Sequence, residues 1–157
     1  RVGRHPVSGY RDRFGALRRQ TEARRRVQRL GLPRRLTLPE LTARAEAALG
    51  KPIHVRTTEL PGDLSARLIQ RTDHALLETR PGLSERSRVA CVLHELAHVF
   101  MDDTGCDHQA YTGLLTGRTA FTRSLDTPHE QAVELVADQL ALRIGLLDPE
   151  GQPGIFR

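Results

Sequence analysis

The 157 residues contain no tryptophan, aromatic residues make up only 4% of the chain, and cysteine occurs twice. A core without large rings has to be assembled from Leu, Val, Ile and Ala. Cys91 and Cys106 are too few for a disulfide scaffold and lack the spacing of a metal knuckle, so both are expected to be ordinary thiols, with Cys91 buried. Also missing are an apolar run long enough to cross a bilayer, a charged-then-apolar signal segment, internal repeats and low-complexity tracts. A cytoplasmic location without a membrane partner is the default expectation. The sequence opens on Arg1 rather than Met, as a trimmed or processed piece would.

What is present is ordinary globular material, 38% hydrophobic and 27% charged, in a length that suits one domain with a real core. The net charge of +5 is unevenly spread. Residues 1–36 carry twelve arginines against Asp12 and Glu22, a balance of +10, which leaves −5 for the remainder. Basicity is therefore local, and interleaved aromatics are nearly absent from it, so a solvated helix face is expected there rather than a nucleic-acid groove. Arg24, Arg25 and Arg26 are the residues of that segment expected to meet nucleic acid or an acidic partner, if any do.

The expected organisation is a flexible tail over residues 1–9 and a single domain over 10–157, with an Arg-rich helical segment at 10–36. Phe14, Leu17, Val27 and Leu30 among arginines suggest an amphipathic helix over Arg11 to Leu30, stopped by Gly31 and Pro33. Thr37, Pro39 and Glu40 form a capping pattern that starts a short helix ending at Gly50. Ile53 to Arg56, Ala66 to Gln70 and His74 to Thr79 are expected to be strands, the last two joined as a hairpin. His54 and His74 on these strands are expected to be structural or exposed. Ser84 introduces a run with Val89, Val92, Leu93, Leu96 and Phe100 at helical spacing. After a polar stretch from Asp107 to Asp126, Thr127, Pro128 and Glu130 cap a last helix with Val133, Val136, Ala137, Leu140 and Ile144.

The chemistry lies on the last two of these helices. His94-Glu95-Leu96-Ala97-His98 is a His-Glu-x-x-His motif. A spacing of four stacks both imidazoles on one helix face, where they can hold one zinc ion while Glu95 acts as general base. A catalytic zinc takes a third protein ligand. The compact metzincin extension is excluded, because Met101 and Thr104 stand where Gly and His would be needed. Glu134 is the expected third ligand, with Asp138 one turn on accepting a hydrogen bond from the free nitrogen of His94 or His98. A second register has Glu130 as ligand and Glu134 behind the imidazole; it ranks lower because Glu130 already serves the helix cap. His108 and His129 are further candidates for the metal, and His108, Tyr111 and His129 for steadying an oxyanion.

At these residues the chain resembles the ImmA/IrrE metallopeptidases, whose zinc helix reads His-Glu-x-x-His and whose later helix reads Glu-x-x-Ala-Asn followed by an apolar residue and Ala. Here the second pattern is carried by Glu134, Ala137, Asp138, Leu140 and Ala141. The order of elements from Leu17 to Leu146 is similar to actinobacterial members described as toxin components, and the Glu-Leu-Val-Ala-acidic motif is also similar to ArdC-type antirestriction proteins. Ala97 where Gly is common and Asp138 in place of Asn are departures. The resemblance implies an α+β minimal zincin-like domain, a small antiparallel sheet beside the motif helix and a second Glu-bearing helix. It also implies a zinc-dependent endopeptidase whose protein substrate is a helix-turn-helix repressor or an antitoxin. The competing expectation is a non-enzymatic, zinc-containing regulatory or toxin-like module that binds nucleic acid or an acidic partner through its Arg-rich segment.

Overall fold

The computed structural model describes residues 9–62, 64–101 and 128–147, with side chains described from Gly15 onward. Among these residues the chain is α+β, with four helices and one three-stranded sheet: α1 (Gly9–Arg29), α2 (Leu38–Leu49), β1 (Ile53–Thr57), β2 (Ala66–Gln70), β3 (Ala75–Thr79), α3 (Glu85–Phe100) and α4 (Pro128–Arg143). No helix among the described residues is long and apolar enough to cross a membrane. The expected tail, apart from Gly9, and the polar stretch with Cys106, His108 and Tyr111 lie outside the described residues, as does the cap residue Thr127.

Local signals account for the helix ends. Thr37 accepts from the Glu40 amide at 3.3 Å and donates its own amide to the Glu40 carboxylate at 2.7 Å, which closes the capping box ahead of α2. Gly50 then ends that helix at φ 69°, a left-handed conformation open to a residue without Cβ. Ser84 caps α3 by accepting from the Ser87 amide at 3.1 Å.

The strands match their expected positions, but the sheet is mixed rather than antiparallel. β2 and β3 form the expected hairpin, Leu68 opposite Leu77, with the Arg71 amide donating to the His74 carbonyl across the turn. β1 lies on the other side of β3 and runs parallel to it, giving the order β1-β3-β2. Burial explains the arrangement. β3 carries Ala75, Leu77, Glu78 and Thr79, all buried, and takes the centre, whereas β1 is exposed from His54 to Thr57 and suits an edge. The link over 58–65 is long enough to step across the intervening strand, so β1 and β2 need not pair directly.

One sheet face meets α3, which packs against β2 and β3, while α2 packs on α3 and β1. Leu41, Leu77, Leu93, Leu96 and Leu140 are almost fully enclosed, so the core is aliphatic as composition requires. α4 lies between α3 and α1. Its far end is clamped by Arg143, which donates to the carbonyls of Leu32 and Pro33, both at 2.9 Å.

On the opposite sheet face Glu78 is 1% exposed and bracketed by Arg56 on β1 and Arg67 on β2. Burial alone would push its carboxyl pKa up; hydrogen bonds and charge from the two guanidiniums outweigh that and hold it below the usual glutamate value. A depressed folded-state pKa adds stability that is present above the unfolded value and lost as pH falls through the folded one. Thermal unfolding followed from neutral pH downward is expected to show the melting temperature falling as the pH passes below the ordinary glutamate range. Glu78→Gln should remove that part of the slope; parallel profiles for variant and wild type would refute the assignment.

Candidate metal centre

The apolar stripe of α3, with Val89, Val92, Leu93 and Leu96 buried, fixes the helix's rotation against the sheet. That rotation turns His94 and His98 toward α4. His98 is 3% exposed, and the His94 side chain keeps 15% of its surface. The ring centroids lie 5.0 Å apart and nearly perpendicular, and the two Nε2 atoms approach to 3.2 Å.

The first two turns of α4 lie beside the second half of α3. Glu130 brings Oε2 to 3.5 Å from His94 Nε2 and Oε1 to 3.9 Å from His98 Nε2. One turn later Glu134 Oε2 is 3.0 Å from His94 Nδ1. The donor atoms of His94, His98 and Glu130 all lie within 4.8 Å of one another, and this His/His/Glu group could hold a metal ion.

The donor spacing can be tested against a real ion. Two nitrogens bound at about 2.0–2.1 Å in tetrahedral geometry stand about 3.3–3.4 Å apart. The Nε2 pair at 3.2 Å is close to that separation, while the Glu130 oxygens at 3.5 and 3.9 Å from the two nitrogens would have to draw in to complete the set. Electrostatics point the same way. Burial opposes a charge on His94, but the hydrogen bond to Glu134 and the charges of Glu95, Glu134 and Glu130 outweigh it and raise its pKa above the usual histidine value. Three carboxylates around two imidazoles form an environment that favours a cation.

The chain was compared with protein-family models, curated proteins and solved structures. None matches.

The geometry differs in register from the arrangement expected of α4. Glu134 was expected at the metal and Asp138 at an imidazole nitrogen. Instead Glu134 meets Nδ1 of His94, and Glu130, one turn nearer the start of the helix, faces the paired Nε2 atoms. Asp138 is exposed and hydrogen-bonded to neither imidazole among the described residues. Its carboxyl pKa is raised, first by desolvation and then by the charge of Glu134.

Glu95, the expected general base, is 8% exposed on α3, and its charge reaches His94. His129 is exposed, with its ring centroid 6.0 Å from that of His98. His108 and Tyr111 lie outside the described residues. His54 on β1 and His74, just ahead of β3, have their rings 5.4 Å apart, with His74 Nδ1 bonded to Asp73 at 2.7 Å. Cys91 is buried on α3. Arg24, Arg25 and Arg26 are exposed on α1 between the buried Ala23 and Val27.

Proposed function

We propose that this chain is a zinc-dependent peptidase of minimal zincin type that hydrolyses a peptide bond in a protein partner. The observation that carries the reading is the pair of Nε2 atoms 3.2 Å apart with the Glu130 carboxylate facing both. A set of two imidazoles and one carboxylate suits zinc and leaves a fourth position for water or substrate. The resemblance of the two helix motifs to the ImmA/IrrE metallopeptidases supports the same reading and suggests a DNA-binding repressor or an antitoxin as partner.

His94, His98 and Glu130 would hold the ion. Zinc bound there would supply Lewis acidity to polarise a peptide carbonyl and lower the pKa of a water. Glu95 accepts the proton released as the water oxygen bonds to the carbonyl carbon, then passes it to the leaving amine as the carbon–nitrogen bond breaks. Glu134, on Nδ1 of His94, fixes the tautomer that leaves Nε2 free as a donor to the metal and keeps the ring oriented. The low exposure of Glu95 and His98 keeps bulk water from competing for both groups.

Chelator-stripped protein titrated with Zn²⁺ should take up one equivalent, and a defined peptide mixture followed by mass spectrometry should be cleaved only after zinc is restored. No zinc uptake at one equivalent would sink the reading.

A second reading rests on the exposure of Arg24, Arg25 and Arg26, which suits a zinc-containing module that meets nucleic acid or an acidic partner without turnover. It requires salt-sensitive binding that disappears when the three arginines are neutralised together. The same variant should leave peptide cleavage intact under the first reading.

A further inference from the structure

The face that α1 turns toward α4 carries Ala23 and Val27, 4% and 1% exposed. One turn and two turns before them, the same stripe continues through Arg19 and Ala16, where an amphipathic helix would normally place larger apolar residues. The two helices are not filled in at that level. A cavity of about 360 Å³ opens between them, lined by Ala16, Arg19, Gln131, Glu134 and Leu135. Glu134 is one of its lining residues, and the same side chain meets His94 Nδ1 at 3.0 Å. The cavity is thus one carboxylate away from the paired imidazoles.

Two features of Arg19 stand out. Among the described residues its guanidinium has no ion pair or hydrogen bond. It also lies back along the helix over Gly15, so that a Cβ built on that glycine would come within 3.3 Å of Nη1. A glycine inside a helix costs about 0.5–1 kcal/mol relative to alanine. Here the missing methyl leaves the guanidinium room beside the cavity. From Arg18 to Arg29 the helix carries six arginines and only Glu22 of opposite sign, which favours an anion beside α1 although Glu134 of α4 lines the same cavity.

We propose that the cavity between α1 and α4 is a substrate subsite for a carboxylate-bearing peptide residue near the bond to be hydrolysed, and that Arg19 recognises the carboxylate. This deepens the peptidase reading and rests on it. The occupant follows from charge and shape. A planar guanidinium with free donors pairs with a carboxylate through two parallel hydrogen bonds, and Ala16 and Leu135 offer apolar walls to the stem that carries it. A lysine could supply charge at this point but not the fork.

The test uses the zinc-loaded full chain, wild type, Arg19→Ala, Arg19→Lys and Arg19→Glu, with matched fluorogenic peptides in which Glu or Asp is exchanged for Gln or Asn, or for Lys. Each peptide is made with a free and an amidated C-terminus, which separates a side-chain carboxylate from a terminal one. The wild type should favour the acidic peptide, and Arg19→Ala should reduce that preference about 10- to 100-fold, mainly through KM. Arg19→Lys should restore part of it, Arg19→Glu should reverse it toward basic peptides, and zinc content should stay at one equivalent throughout. An acidic-to-amide ratio that is the same in wild type and Arg19→Ala overturns the subsite while leaving the peptidase reading standing. If the zinc-loaded wild type cleaves no peptide, the peptidase reading fails first. Fluorescence anisotropy with the same peptides then decides the subsite: acidic peptides bound by wild type and lost by Arg19→Ala support it, and equal binding removes it.

Discussion

Glu130→Gln is expected to abolish stoichiometric zinc binding, whereas Glu134→Gln should retain the ion with affinity lowered about 10- to 100-fold. The contrast follows from where the two carboxylates sit. Glu130 faces the Nε2 atoms of both histidines, at 3.5 and 3.9 Å, so its amide counterpart removes an anionic donor from a set of three. Glu134 meets Nδ1 of His94 rather than the paired Nε2 atoms, and its loss frees that ring to rotate or change tautomer without emptying the site. The spacing-based register, with Glu134 on the metal, requires the reverse order. Competition against a chelator of known affinity, with circular dichroism to establish that both variants fold, separates the two, and His98→Ala serves as the ligand-free reference.

Glu95→Gln carries the second large effect: zinc retained at one equivalent and peptide hydrolysis reduced about 10²- to 10⁴-fold, the usual range for removing a general base. The substitution keeps size and shape while exchanging one acceptor oxygen for a donor, and circular dichroism establishes that the variant folds with this buried position of α3 changed. Because the base acts in the transition state, kcat and kcat/KM should fall together. Hydrolysis that survives this substitution would take Glu95 out of the mechanism, even with the metal site intact.

Much of this arrangement was legible in the sequence. Four-residue spacing has one meaning on a helix, so His94 and His98 could be placed on one face before any tertiary contact was known. The hairpin of β2 and β3 was legible for a similar reason, since its turn at Thr72 and Asp73 is local. Glu130 was harder because it served two patterns at once. Thr127, Pro128 and Glu130 read as a cap, and a cap has its partners nearby in sequence, whereas the histidines it faces are more than thirty residues away. Choosing between Glu130 and Glu134 needs the offset at which α4 crosses α3, and no periodicity within either helix encodes that offset.

The same limit explains the sheet. Parallel pairing of β1 with β3 depends on which strand takes the buried centre, a competition among all three. Arg56, Arg67 and Glu78 were visible as charges at alternating strand positions, yet only the strand order brings them together. Arg19 is hidden in the sequence for another reason: amid so many arginines, the one on the apolar stripe looks like the rest until the helix has a neighbour.

The donors facing one another across α3 and α4 come from points 32 residues apart along the chain, His98 and Glu130. An ion shared by them is a reversible cross-link. It closes a large loop and lowers the free energy of the folded chain by an amount that grows with the logarithm of free metal. How firmly α4 is tethered to the rest of the molecule, and with it the wall of α1 that leans on α4, would then follow the supply of that ion in its surroundings.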